Sequence, residues 1–216
     1  MTDSGPGTRG ARFLLIRAPG VAFAMVIRLV KHSDFDAIAA LTNVFIRETP
    51  IHFGYAQVTS DELFQAWHQT RERYPFLVVE HDGRFAGFAK AGVWRSREAY
   101  AWTTETGIYL ESWARGRGIG KALYAALLGI LRTQGFHSVV TGITMPNAAS
   151  EQLHRSVGFQ CYGVVKHAGF KFGRWHDVSF WQVMLTNGEA PAASLKSPDE
   201  AWAAHTPTPA PNHSPS

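Results

Sequence analysis

The sequence predicts an α/β (α+β) fold: one domain on a mixed, mostly antiparallel twisted sheet of about six or seven strands, flanked by about four helices. Three observations carry this. The chain has 216 residues, 45% hydrophobic and 18% charged, which suits one soluble core and neither a disordered polymer nor a membrane protein. Between Met25 and Asn187 the apolar positions switch repeatedly between period two and helical spacing. Three strand-like runs succeed one another in mid-chain, and a long helical segment then separates two more.

Taken in order, residues 1–24, rich in Gly and Arg, are expected to be a disordered extension, and Met25 is a possible translation start. Val26 to Val30 alternates as a first strand. Ser33 is read as the cap of a first helix, with Asp34 and Asp36 in the turn where carboxylates suit the helix dipole and with Ile38, Leu41 and Phe45 on one face. Thr59 and Glu62 form a capping box for a second helix carrying Leu63, Phe64 and Trp67, closed by Pro75. Strands Phe76 to Glu80 and Phe85 to Val93 flank the turn His81-Asp82-Gly83-Arg84, and Ala101 to Leu110 completes a meander. Gly118 to Gln134 is a long helix with Ile119, Leu123, Leu127, Ile130 and Leu131 on one face; the strand Ser138 to Thr144 follows. Asn147 caps a short helix through Ser156, and Phe159 to Val165 and Val178 to Leu185 supply two last strands. The domain is therefore placed at residues 25–187, and 188–216, rich in Ala, Pro and Ser, is expected to be a disordered tail.

Several classes of function are excluded. Arg12, Arg17, Arg28 and Lys31 break the early apolar stretch, so no membrane span forms, and Arg17 also cuts the run Phe13 to Ile16 that a secretory signal would need. One cysteine, Cys161, allows neither an internal disulfide nor a cysteine-rich zinc site and is compatible with a cytoplasmic location. A net charge of +4 without a dense basic block favours small anions over nucleic acid.

The most informative segment is Arg115-Gly116-Arg117-Gly118-Ile119-Gly120-Lys121, between a strand and the long helix. Glycines there let backbone N–H groups approach a ligand, and the helix start attracts an anion, so pyrophosphate is the natural guest; a ligand-free connector is the alternative. Ala122 after Lys121 excludes a P-loop, and Leu123 in place of a third glycine excludes a dinucleotide fingerprint.

Arg115-x-x-Gly118-x-Gly120 in that setting resembles the acetyl-CoA pyrophosphate loop of the GNAT acyltransferases, and the resemblance extends over nearly all of residues 25–185. Within that superfamily the chain is most similar to phosphinothricin and methionine sulfoximine N-acetyltransferases, through Arg73-Tyr74-Pro75-Phe76, Ala99-Tyr100-Ala101-Trp102-Thr103, Gln134-Gly135-Phe136 and Trp175-His176-Asp177-Val178. The resemblance implies the GNAT fold, acetyl-CoA as cosubstrate and a homodimer. It implies that the cofactor arm lies along Ile108, Tyr109 and Leu110, that the pyrophosphate sits over Arg115 to Lys121, and that Asn147 contacts the arm.

Acetylation of an amine needs a group to accept the ammonium proton and a donor to stabilise the oxyanion or the leaving thiolate. Glu105, which the resemblance puts at the general base, fits the first role; a salt-bridged strand glutamate is the structural alternative. His154 has the pKa of a proton relay, and a packing histidine would look the same. Tyr109 and Tyr162 are possible phenol donors or core aromatics. Arg95 and Arg97, beside Trp94, are candidates to hold an acceptor carboxylate or phosphinate, and Phe53 matches an aromatic of the family's acceptor pocket. His52, His176 and Asp177 lack ligand spacing, so no metal is expected, and Cys161 is expected to be a small buried side chain.

These residues point to an acetyl-CoA-dependent N-acetyltransferase acting on a small amino acid or analogue. The alternatives are a protein or peptide N-terminal acetyltransferase and a non-catalytic acyl-CoA-binding sensor. Gly107 stands where related enzymes carry a hydroxyl residue, and Thr144-Met145 precedes Pro146-Asn147 in place of a Gly-hydrophobic pair, which together predict an altered acceptor pocket.

Overall fold

The computed structural model describes residues 14–17, 24–188 and 190–205. Eight strands form one sheet in the order β1-β2-β3-β4-β5-β6-β8-β7. They are β1 (Leu14–Arg17), β2 (Ala24–Leu29), β3 (Phe76–His81), β4 (Arg84–Val93), β5 (Thr103–Leu110), β6 (Ser138–Thr144), β7 (Gln160–Lys171) and β8 (Arg174–Met184). The helices are α1 (Phe35–Glu48), α2 (Ser60–Thr70), α3 (Ile119–Gln134), α4 (Ala148–Ser156) and α5 (Pro198–His205). Every pairing is antiparallel except β5 with β6. The meander, the long helix and the mixed sheet are as the periodicity predicts.

Alternation along the strands gives each face its own core. Leu77 and Val79 join Leu123, Leu127, Ile130 and Leu131 of α3, whereas Phe76, Val78 and Phe88 join Phe35, Ile38, Leu41 and Phe45 of α1, with α2 packed outside. Each such fully buried side chain contributes about 1.5–3 kcal/mol by leaving water. The β3–β4 turn holds Asp82 and Gly83 at φ 54° and 70°, a conformation that Asp-Gly supplies readily.

Four expectations are corrected. The N-terminal extension is not wholly unstructured, because residues 14–17 pair with β2 as an added edge strand; the rest of 1–23 lies outside the described residues. The tail is likewise docked as far as His205. The Trp102 indole N–H donates to the Ala192 carbonyl, the Gln134 amide donates to Lys196, and Ser197 and Glu200 form a capping box for α5. That helix buries Trp202, 3% exposed, in the α3 core; residues 206–216 lie outside the described range. Ser33 does not cap α1, because it lies inside a 3₁₀ turn, His32–Asp34, that runs straight into the helix; Asp34 closes that turn by accepting from the Lys31 N–H and pairs with Arg28 at 2.7 Å. Finally, Cys161 is exposed, since β7 is the outermost strand of the sheet.

Candidate active site

The parallel pairing of β5 and β6 covers only Thr103 to Glu105 against Ser138 to Val140, while β5 stays paired to β4 from Thr104 to Leu110. The two strands therefore splay beyond Glu105. On the gap side, the Thr106 carbonyl accepts from the Thr141 hydroxyl. By strand alternation Ile108 and Leu110 also turn their backbone groups toward the gap, where no sheet partner meets them. The Leu110 carbonyl takes the Arg115 guanidinium, which ties the following loop back to the strand. An extended polar ligand can add to this edge as a strand would.

That loop ends at α3. Gly116 and Gly118 have φ of 74° and 77°, where a side chain is strained, and nothing lies within 4 Å of where their Cβ atoms would stand. The first helical hydrogen bond runs from Ala122 N–H to Gly118, so the N–H groups of Ile119, Gly120 and Lys121 have no partner within the helix. Free donors, open space and the positive end of a 16-residue helix dipole make an anion site. Ile119 contributes its backbone only, because its side chain is buried, and Gly120 packs against Leu110 and Leu153. Asn147 caps α4 by accepting from Ser150 N–H, leaving its amide nitrogen for a ligand in the gap.

The gap opens into a cleft of about 420 Å³. Glu105, Gly107 and Tyr109 share the face of β5 that meets α1, and across the ladder stand Gly92, Lys90 and Phe88. Burial raises the Glu105 carboxyl above its ordinary range, opposed by the positive charge of Lys90; burial lowers the Lys90 ammonium, opposed by Glu105. Tyr109 packs between Phe45, 5.0 Å away, and Phe88, 5.1 Å away, and burial with the nearby Glu105 charge pushes its phenol up to about 12. The group stays protonated and can donate.

His154 is 2% exposed on α4. Its Nδ1 bonds the Ser150 carbonyl at 2.7 Å and its Nε2 the Tyr124 hydroxyl at 3.2 Å, while that hydroxyl also bonds Thr106 at 2.6 Å. Burial lowers its pKa, so it is neutral at pH 7, and its ring braces β5 from the α3 side.

The remaining expected residues stand elsewhere. Phe53 turns away from the cleft and packs over Gly169 of β7 and toward His176, so Ile51 and His52 present this loop to the cleft instead. Arg95 stacks on Trp94 and Tyr100, and neither it nor Arg97 lines the cleft; the β4–β5 connection is exposed and its guanidinium has aromatic faces close by. Tyr162 is exposed beside Phe180 on the outer hairpin. Among the described residues no cluster of ligands could hold a metal.

Two lysines were missed. Lys90 reads in sequence as an ordinary outward position of an alternating strand, and the signal that distinguishes it, a glycine directly across the ladder, depends on register. Lys171, at the tip of β7 and 4% exposed, donates to the carbonyls of Ile46, Thr49 and His52 at 2.6, 3.0 and 2.6 Å, clamping the loop after α1. No local pattern announces a contact between residues so far apart in the chain.

Comparison with known proteins agrees with this geometry. The profile of the acetyltransferase (GNAT) domain family matches residues 27–180. A phosphinothricin N-acetyltransferase of Streptomyces viridochromogenes is 38% identical over 72% of this chain and 85% of its own length. An L-methionine sulfoximine/L-methionine sulfone acetyltransferase of Salmonella typhimurium is 36% identical over 78% of this chain and 99% of its own. The crystal structure of a phosphinothricin acetyltransferase from Sinorhizobium meliloti in complex with acetyl-CoA superposes with a TM-score of 0.75, at 30% identity over 79% of this chain and 95% of that one.

Proposed function

The chain belongs to the GNAT acetyltransferase family, and from that premise we propose that it acetylates the α-amine of a small amino acid or analogue of the phosphinothricin or methionine sulfoximine kind. Acetyl-CoA is the cosubstrate of this family and supplies the activated acetyl thioester. The observation that carries the proposal is one carboxylate, Glu105, raised by burial and set in the cleft where β5 and β6 part, on the strand that leads to the anion site at the start of α3.

The residues divide the work. Backbone N–H groups of Ile119, Gly120 and Lys121, with Gly116, Arg117 and Gly118 leaving room and Arg115 fixing the loop, hold the pyrophosphate. Ile108, Leu110 and Asn147 hold the arm. Glu105 accepts the proton of the acceptor ammonium, directly or through water, and a carboxyl pKa raised by burial makes it a stronger base. Tyr109, kept as a phenol, donates to the oxyanion or the leaving sulfur. His154 keeps β5 in place through Tyr124 and Thr106 and carries no proton step. A cleft of this size enclosed by α1, α2 and the sheet favours a small molecule over a peptide, nucleic acid or lipid acceptor.

The enzyme is further proposed to be a cytoplasmic homodimer. The outer hairpin exposes Tyr162, Val164, Val165 and Phe170 on the edge strand β7, Phe172 in its turn and Trp175 at the start of β8, a surface that a second copy would cover. No helix among the described residues is long and apolar enough to cross a membrane.

The test is a thiol-release assay with acetyl-CoA over amino acids, methionine sulfone, methionine sulfoximine, phosphinothricin and an N-terminal peptide. Turnover of the small amines supports the proposal; turnover of the peptide alone refutes the acceptor class, and acetyl-CoA binding without turnover refutes catalysis.

A further inference from the structure

We infer that Lys90 is the specificity residue that reads the acceptor's own anionic group, so that the cleft recognises a zwitterion with its amine at Glu105 and its carboxylate at Lys90. This rests on the small-amine acceptor proposed above and adds how that acceptor is chosen.

Of the residues lining the cleft only Lys90 and Glu105 carry a full charge, and the charges are opposite. They lie on one face of adjacent strands as diagonal neighbours, Lys90 being opposite Gly107 and Glu105 two residues before it. Such pairs stand about 7–8 Å apart at Cα, within reach of a small bifunctional ligand between long side chains. Gly107 makes the space: with no side chain across the ladder, the volume beside the Lys90 stem is open to the cleft, and a Cβ at 107 would come within 3.6 Å of the Tyr109 ring.

The two lysines of this region differ in how their ammonium groups are used. Lys171 spends its donors on three carbonyls. Lys90 makes no hydrogen bond or ion pair among the described residues, and its amine lies 5.9 Å from the centre of the Phe76 ring. Lys90 is exposed at the cleft, with Phe76 and Phe88 on the same wall, so its ammonium is desolvated only in part, which lowers its pKa, and it gains no fixed partner. A carboxylate or phosphinate brought by the substrate supplies that partner. The arginines expected to do this from the β4–β5 connection stand outside the cleft.

The experiment compares methionine sulfone, whose carboxylate is its only anionic group, with its decarboxylated counterpart 3-(methylsulfonyl)propylamine. Wild type, Lys90→Met and Lys90→Arg are assayed above the acidic limb of the rate profile, with melting temperatures as the control for folding. The wild type is expected to prefer the amino acid. Lys90→Met raises KM for methionine sulfone about 10- to 100-fold, the loss of one charged hydrogen-bonded contact, and collapses the discrimination between the two amines; kcat and the KM for acetyl-CoA hold. Lys90→Arg restores part of the preference. If Lys90→Met lowers kcat/KM equally for both amines, Lys90 acts only through Glu105 or through packing, and the inference is overturned. Should Lys90→Met fail to fold, Lys90→Gln carries the same comparison. A wild type that turns over neither amine refutes the small-amine acceptor instead, a result distinguishable from the first.

Discussion

Replacing Glu105 by Gln removes a proton acceptor while keeping shape, and His154→Gln provides the contrast. Loss of a general base costs about 10²–10⁴ in rate, so Glu105→Gln is expected to lose that much in kcat with acetyl-CoA affinity unchanged. The deficit shrinks toward alkaline pH, where more of the amine is already neutral. In the wild type, burial raises the carboxyl and Lys90 holds it partly down, so the acidic limb lies above the ordinary glutamate range; activity falls as pH drops through it. His154→Gln breaks a buried contact to Tyr124 and one to Ser150, a loss of about 1–3 kcal/mol. For a domain of this size that is roughly 2–12 °C in melting temperature, with kcat changed far less. Steady-state thiol release between pH 6 and 10 with parallel thermal melts reads both variants. The reasoning fails if His154→Gln shows the larger kcat loss and the alkaline rescue, for the base would then be the histidine and Glu105 a structural strand residue.

Gly118→Asp places a carboxylate before the free N–H groups of α3 and abolishes acetyl-CoA binding in a folded protein, at least a 10³-fold loss at about 4 kcal/mol of repulsion; calorimetric titration checks it, and unchanged affinity moves the phosphate site elsewhere. Trp202→Ala removes the aromatic that seats α5 on α3 and lowers stability by about 3–5 kcal/mol, read in a thermal melt, and a chain ended at Asn187 is destabilised likewise; an unchanged melt means the docked tail contributes nothing. Lys171→Met leaves three carbonyls without their donor, so acceptor KM rises while acetyl-CoA affinity holds, as kinetics with each substrate varied in turn will report.

What could be read from the chain follows the range over which each signal acts. The α3 stripe, the Thr59–Glu62 capping box and the Gly116–Gly118 loop are encoded by residues within a few positions of one another, and all are found where periodicity and spacing put them. The same kind of signal was present and passed over at Ser197 and Glu200, where a capping box starts α5 inside a segment whose Ala and Pro content reads as disorder. Within the cleft, the family resemblance supplies both the β5 residues and Phe53, Arg95 and Arg97, but the first group stands on a strand whose alternation fixes the side each faces, while the second stands in loops. Loops carry no period, so whether Phe53 faces a ligand or Gly169 is decided by a strand more than a hundred residues away. Lys90 became visible only once β4 and β5 were in register.

The clamp made by Lys171 also bears on the order in which the enzyme comes into being. Its three carbonyl partners lie 119 to 125 residues earlier in the chain, among the longest-range contacts of the fold, whereas α3, the helix proposed to hold the pyrophosphate, follows β5 through a short connection. Closing so long a loop is entropically slow, and during synthesis β7 leaves the ribosome well after α1 and the loop that follows it. The acceptor wall is thus completed last. A nascent chain would then complete the proposed donor site before the acceptor wall, and acceptor selectivity would belong to the finished molecule.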